Sequence, residues 1–487
     1  MTLGGGMSLR SVLPEIVLVV GALAILLFAL FAPRRAQRFA AHLSLLVLAG
    51  SAASTWLVVG VAGPTTFFGA YAIDGAAVWG KLIILATTAL AVLLSYEWFA
   101  TDPRRGELYS LLLLSALGAV LLAGATDLME MVLGVLLSSA TGYVLASYHR
   151  RSVRAQEAAI KYYLLGALAT GFMLLGVVLL FGLGGSTLFG ALRASLVSAD
   201  VWALAVAVGL VAIGLSFKIG AFPAYAWVPD VADGAPAPMA AFLTAAPKVG
   251  ALIVLARLAV ALPAADVGWR PLVAVLAAAT MTLGNLAALR QDDVRRLLGW
   301  SSISQAGYAL MAVVALGRSG LAVPSLIYFV GAYALGNLAA FGVVVELRGL
   351  SDRHKYAGLS RTRPWLASTL VVAFLSFVGV PPLAGFVGKL GLFAATIDAG
   401  YLWLAILAAA NSVLSLAYYL RVLAPVYLGE PGAEVRVSMG RWAIAGTYLP
   451  AVALIVLGIA AQPLWRALAG ARLFPLWSAC MPLNPGA

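Results

Sequence analysis

Charge is what this chain has least of. Asp, Glu, Lys and Arg together make up 10% of its 487 residues, against about 25% in soluble proteins, so an ordinary water-facing globular surface is excluded. Cysteine is nearly absent: Cys480 stands alone, which excludes a disulfide framework and a cysteine metal site within the chain. The three histidines form no paired metal-binding motif, and there is no iron–sulfur cysteine spacing, haem-attachment motif or Walker A lysine motif. Gly182-Leu183-Gly184-Gly185 lacks the strand–turn–helix context of a dinucleotide site and reads as a loop. Neither a cofactor nor a metal is expected in this chain, and redox chemistry within it is not expected either. The longest polar connections, 182–200, 348–364 and 428–443, are too short to form a soluble domain.

What is abundant is apolar. Hydrophobic residues make up 63% of the sequence, the mean hydropathy is +1.01, and long apolar runs recur from residue 12 to about residue 471. The fold class read from this is an all-α polytopic membrane protein. At about 20 residues per crossing, fourteen spans are expected. Their approximate extents are 12–32, 39–61, 74–99, 107–125, 127–147, 157–181 and 199–222, then 236–262, 272–289, 301–317, 323–346, 365–396, 400–427 and 444–470. The first run, Ile16 to Phe31, exceeds the apolar core of a secretory signal, follows Glu15 and leads into another span, so it is expected to remain as a helix.

The net charge of +12 does not point to nucleic acid, because the basic residues are scattered through short loops. One set of loops holds Arg34, Arg35, Arg38, Arg104, Arg105, Arg150, Arg151, Arg154 and Lys161. It continues with Arg290, Arg295, Arg296, Arg348, Arg353, Lys355, Arg361, Arg363, Arg421, Arg436 and Arg441. The alternate loops hold little beyond Arg193, Arg270 and Arg318. This alternation supports the span count independently of hydropathy, and by the positive-inside rule it places the basic loops in the cytoplasm and both termini outside. The lipid bilayer is thus the first expected partner.

Three lysines stand inside otherwise apolar stretches: Lys218, Lys248 and Lys389. A charged group at the centre of a membrane helix costs roughly 2.5–3.5 kcal/mol on insertion scales, so several at depth imply a polar path. Desolvation penalises the charged form of a buried amine, so a lysine there can release and regain a proton. The expectation is a proton-conducting membrane protein. Lys218 precedes Pro223, Pro229, Pro236 and Pro238, whereas Lys389 follows Pro381 and Pro382. Proline removes an amide donor and frees carbonyls, which is tolerated at membrane depth only beside protein or a water-filled cavity. Two broken segments in corresponding positions of two halves are the mark of inverted-repeat transporters. Residues 107–262 and 272–427 are the candidate repeats, with two discontinuous helices. Lys81 and Glu346 lie close to predicted span ends, where long side chains are expected to snorkel towards water.

The broken segments carry a combination of motifs. Phe217-Lys218-Ile219-Gly220 is followed by Pro223, Trp227-Val228-Pro229-Asp230-Val231, Gly234-Ala235-Pro236 and Pro247-Lys248. Arg295-Arg296-Leu297-Leu298-Gly299-Trp300-Ser301-Ser302-Ile303 precedes Gly307-Tyr308. Gly379-Val380-Pro381-Pro382 runs into Gly385-Phe386-Val387-Gly388-Lys389, and Asn411-Ser412-Val413 precedes Tyr418-Tyr419-Leu420. Together these resemble the antiporter-like subunits of the proton-translocating NADH–quinone oxidoreductases (respiratory complex I) and of related multisubunit antiporters. Leu13-Pro14-Glu15 and the absence of a long C-terminal lateral helix are similar to the subunit N branch. The resemblance covers nearly the whole chain.

The resemblance implies two proton half-channels joined by a row of charged residues at the membrane midplane. The family's lysines of the seventh, eighth and twelfth helices fall on Lys218, Lys248 and Lys389. It also implies partner membrane subunits of one complex, with NADH, flavin, iron–sulfur clusters and quinone held by other subunits, and a bacterial cytoplasmic membrane location. Two like charges about 7 Å apart at an effective dielectric near 20 repel by roughly 2 kcal/mol. Driving one proton against about 100 mV takes about 2.3 kcal/mol, so the couplings are of the right order.

One departure concerns the acid that the family places in its fifth helix, in a Gly-x-Glu-Leu pattern paired with the seventh-helix lysine. The matching run here is Gly134-Val135-Leu136-Leu137, with leucine at the acid's position. Glu130 and Asp127 are the nearest acids, and Glu130 reads either as a polar residue near the end of helix five or as a displaced functional acid. Ala224, Tyr225 and Ala232 are smaller departures, and Gln305 stands where relatives use histidine or glutamine. Two function classes follow: a proton-translocating subunit of an NADH–quinone oxidoreductase or kindred antiporter or membrane hydrogenase complex, and a non-pumping structural paralogue.

Overall fold

Apolar runs bounded by Asp, Ser and Gly caps fold here into helices that alternate in direction. The computed structural model describes residues 2–3, 7–58, 65–263, 268–430 and 440–474; Arg436 and Cys480 lie outside them. The helices begin with α1 (Leu13–Phe31), α2 (Phe39–Val58), α3 (Gly75–Trp98), α4 (Arg105–Gly124), α5 (Leu128–Ala146) and α6 (Val153–Gly184). A short α7 (Phe189–Ser195) is followed by α8 (Val201–Ile219), α9 (Trp227–Gly234), α10 (Ala237–Leu243) and α11 (Ala246–Ala261). The second half comprises α12 (Trp269–Ala288), α13 (Val294–Ala315), α14 (Ala322–Glu346), α15 (Leu359–Thr362), α16 (Pro364–Val378), α17 (Ala384–Asp398) and α18 (Leu402–Leu428). The chain closes with α19 (Arg441–Ile459) and α20 (Ala461–Ala469). Two-residue hairpins, Thr2–Leu3 with Met7–Ser8 and Thr65–Thr66 with Tyr71–Ala72, are the paired strands among the described residues.

Thirteen helical stretches among the described residues are long and apolar enough to cross a membrane. The expected span 365–396 is instead divided into α16 and α17, each of 15 residues. At 1.5 Å per residue each reaches only about 22 Å, short of a hydrocarbon core of about 30 Å. The fourteenth expected span falls on this broken pair. The glycine run at 182–185, expected as a loop, is the end of α6, closed by Gly185 in the left-handed region at φ 67.

Loops on each face bond to one another, which fixes the alternation physically. On the basic face Arg105 donates to Ala100 O and Arg34 O, Tyr148 donates to Arg104 O, and Arg353 and Arg421 both pair with Asp292. On the opposite face Thr126 donates to Gly69 O, Arg270 to Leu316 O and Arg318 to Ala399 O. At the centre, α10, α11, α13 and α14 are buried on nearly all sides, whereas α1, α2, α6, α18 and α19 keep an open apolar flank, as membrane helices at a periphery do.

α8 ends at Gly220 (φ 72) and α16 at Gly379 (φ 90). Each end is a Schellman turn, in which Ala221 N donates to Ser216 O and Val380 N donates to Leu375 O. A proline stands three residues after each glycine, Pro223 and Pro382. A third interruption, between α10 and α11, turns at Ala245 (φ −121, ψ −70), with Pro247 in the first turn of α11. There Thr244 O accepts from Tyr333 Oη at 2.9 Å, and Asn337 donates to Ala241 O.

Candidate functional site

The breaks gather the three lysines. Lys218 is in the last turn of α8, Lys248 in the first turn of α11, and Lys389 in α17, directly after the break that follows α16. All three are at most 3% exposed. Among the described residues none has a carboxylate within 4.0 Å. A serine hydroxyl takes the place of a counter-ion in each case.

Lys218 Nζ donates to Ser139 Oγ on α5 at 3.1 Å. Around it, the rings of Tyr162, Phe217 and Trp227 pack against one another with centroids 4.3–5.5 Å apart, and the Trp227 indole N–H donates to Phe217 O at 2.9 Å. Lys248 Nζ donates to Ser302 Oγ and O at 2.5 and 2.9 Å, and the hydroxyls of Ser302 and Tyr333 share a hydrogen bond at 2.7 Å. A Cβ built on Gly220 would lie 3.3 Å from Lys248 Nζ. The ammonium of Lys248 therefore rests against the end of the helix that carries Lys218. Lys389 Nζ donates to Val378 O at 3.2 Å and to Ser412 Oγ at 2.9 Å, and lies 3.9 Å from the centre of the Tyr308 ring. Tyr308 Oη shares a hydrogen bond with Ser412 at 3.0 Å. Both Lys248 and Lys389 thus sit at the C-terminal end of a helix, α8 for Lys248 and α16 for Lys389. The carbonyl end of such a helix carries partial negative charge that favours a cation.

The ground between Lys248 and Lys389 is lined by polar side chains of α13 and α18. Gln305 donates to Phe377 O, Ser301 and Tyr419 share a hydroxyl hydrogen bond at 2.5 Å, and Tyr418 donates to Asn285 Oδ1 at 3.0 Å. A cavity of about 10 Å³ lies beside Lys248, Gln305 and Tyr333, close to the room one water needs.

Leu136, expected from sequence at the family's acid position, is 44% exposed on α5, one turn before Ser139. Glu130 is half-buried in the first turn of α5, where Asp127 caps the helix. Its charged neighbours are Asp127, Glu15, Lys81 and Arg257. Nine residues, or about 13.5 Å of helix rise, separate it from Ser139.

Two expectations are corrected. Lys81 does not snorkel: it is 2% exposed and pairs with Glu15 at 2.6 Å. Glu346 is 4% exposed, with Oε1 buried and unpartnered. A buried pair not anticipated from sequence joins Asp74 to Arg257 through two 2.6 Å hydrogen bonds. Arg257 also donates to Ala123 O and Phe474 O. Its signal was present, since Arg257 interrupts the apolar run at 249–262.

Comparison with known proteins agrees with this geometry. The family model described as NADH:quinone oxidoreductase/Mrp antiporter, TM, matches residues 125–415. NADH-quinone oxidoreductase subunit N of Mycobacterium sp. (strain JLS) is 44% identical, over 84% of this chain and 88% of its own length. Subunit N 1 of Streptomyces griseus subsp. griseus is 42% identical, over 93% of this chain and 97% of its own. A chain of respiratory complex I from Thermus thermophilus, solved with bound aureothin, superposes with a TM-score of 0.82 at 33% identity, covering 94% of this chain and all of that one. Motifs, lysine placement and relatives converge, and this chain belongs to the antiporter-like membrane family of NADH-quinone oxidoreductase subunit N.

Proposed function

We propose that this chain translocates protons across a bacterial cytoplasmic membrane along the row Lys218–Lys248–Lys389, driven by electron transfer from NADH to quinone in partner subunits. The observation that carries the proposal is the shared setting of the three lysines: buried, held by serine hydroxyls, and gathered at the ends of α8 and α16. A lysine without a fixed carboxylate changes charge without breaking an ion pair, so its protonation follows the charge of its neighbour. Arrival of a proton at Lys248 Nζ places a cation against the C-terminal end of α8, which disfavours the ammonium form of Lys218 two residues away along the chain. At the other end, Ser412 and Tyr308 hold the amine of Lys389 in one orientation while its charge changes.

The paired repeats 107–262 and 272–427 are part of this reading. Asp127 caps α5 and forms a backbone bridge with Leu188, while Asp293 caps α13 and bridges to Asp352. The flanking bonds correspond as well: Leu128 N donates to Thr187 O as Val294 N donates to Ser351 O, and Phe189 N donates to Thr126 O as Arg353 N donates to Asp292 O. The first bridge stands on the face opposite the arginine-rich loops and the second among them, as inversion requires. Cofactors and quinone are assigned to the partner subunits.

The test is Lys389→Met in the assembled complex, reconstituted in vesicles. Proton transport falls to a small fraction of the parent while the complex assembles normally. Unchanged transport from a normally assembled complex would remove Lys389 from the path.

A further inference from the structure

Between Lys218 and the arginine-rich face stands a hydroxyl that the lysine row does not use. Tyr162 of α6 is fully buried, and its Oη has no hydrogen-bond partner among the described residues. The ring is held on several sides: Trp227 stacks on it at 4.3 Å, Phe217 lies 5.5 Å away and Tyr143 of α5 stands edge-on at 4.8 Å. Phenylalanine would meet the same packing, whereas a buried hydroxyl without a partner lowers stability. The oxygen points at α5. A Cβ built on Gly142 would lie 3.3 Å from it, so the hydroxyl rests where a side chain at 142 would begin.

Gly142 is one turn from Ser139, whose Oγ accepts from Lys218 Nζ at 3.1 Å. Residues three apart on a helix are neighbours, about 60° apart around the axis. α5 ends at Ala146, next to the loop of Arg150 and Arg151, so Gly142 is about 6 Å and Ser139 about 10.5 Å of helix rise from that end. On the face itself, Lys161, the residue before Tyr162, pairs with Asp230 at 3.3 Å, and Asp230 pairs with Arg296 at 2.9 Å. Asp230 is one turn after Trp227, the residue stacked on Tyr162. From the face inwards the order is a partly exposed ion pair, the Tyr162 hydroxyl, Ser139 and the amine of Lys218.

We infer that Tyr162 relays protons from the arginine-rich face to Lys218, a role that rests on Lys218 being a proton carrier. A phenol both donates and accepts. A proton arriving from water on the face side bonds to its oxygen as the phenolic proton leaves, through one water, for the lone pair of Lys218 Nζ. The hydroxyl then rotates back, and no charge remains on the ring. The experiment compares parent, Tyr162→Phe and Lys218→Met as assembled complexes in sealed vesicles, reading protons moved per NADH oxidised together with thermal unfolding. Tyr162→Phe keeps the stacked ring and removes only the unpartnered oxygen. Its ratio is expected to lose most of what Lys218→Met loses, with a melting temperature equal to or above the parent's. A parent-like ratio in Tyr162→Phe beside a lowered ratio in Lys218→Met would overturn the relay and leave the lysine row standing. Parent-like ratios in both variants would overturn the relay by removing Lys218 from the path. A lowered ratio with a lowered melting temperature in Tyr162→Phe would also overturn it, assigning the hydroxyl to structure.

Discussion

Lys218 is held without a carboxylate within 4.0 Å among the described residues. Its hydrogen-bond partner is Ser139, and the position that would carry an acid, Leu136, opens onto the outside of α5 one turn away. Three helical positions rotate by about 300°, so residues 136 and 139 are about 60° apart on the helix. A carboxylate introduced by Leu136→Glu would favour the ammonium form of Lys218 and move the basic limb of the pumping–pH profile to higher pH. The check is proton transport against pH in the parent, in Leu136→Glu, and in Leu136→Glu with Lys218→Met. The shift appears in the first variant and vanishes in the double variant. Identical profiles in parent and Leu136→Glu would place residue 136 out of reach of Lys218. The lysines themselves were legible in sequence because each is a charge inside an apolar run. Their serine partners were not, since a serine in an apolar helix ordinarily bonds back to its own carbonyls, as Ser44 does to Ala40 O.

At the scale of elements, the breaks do the positioning, and they depend on close backbone approach. Gly385, in the first turn of α17, sits against the last turns of α16: a Cβ there would lie 1.8 Å from Ser376 O. The obstacle is backbone, so the two half-helices must separate to admit it. Gly385→Ala is expected to cost about 1–3 kcal/mol, the usual range for overpacking, and to depress pumping by moving Lys389 relative to Ser412. Thermal unfolding of the purified complex together with the transport assay measures both effects. Unaltered melting and transport would mean that the junction is looser than described. The breaks after α8 and α16 could be read from Gly220, Pro223, Gly379 and the Pro381–Pro382 pair. The break at Thr244–Ala245 was signalled by Pro247 in the first turn of α11, but Tyr333 and Asn337 of α14, which stabilise it, lie 89 and 96 residues from their partners and could not be read.

Over the whole molecule, buried ion pairs lock peripheral helices to the centre on the face opposite the arginine-rich loops. Arg257 joins α11 to Asp74 at the start of α3, to the end of α4 and to Phe474 near the end of the described chain. Removing one partner of such a pair leaves the other buried and unpaired, at a cost of about 3–5 kcal/mol. Arg257→Met is therefore expected to lower the melting temperature and assembled yield strongly, and adding Asp74→Leu to restore a large part of both. No recovery in the double variant would mean that the carbonyl contacts of Arg257, rather than its pairing with Asp74, stabilise this end. Hydropathy could not show these pairs. Asp74 and Lys81 stand near a span end, where a charge ordinarily meets water, and their partners lie 183 and 66 residues away. The span count was legible because apolar length and loop charge agree.

The central claim, that protons cross through the lysine row of this chain, is tested most directly at Lys248, which touches the end of α8 and faces the polar ground leading to Lys389. The measurement is the number of protons moved per NADH oxidised by the complex in sealed vesicles, parent against Lys248→Met. A lower ratio with NADH oxidation persisting is the predicted result; an unchanged ratio from a fully assembled complex would contradict it.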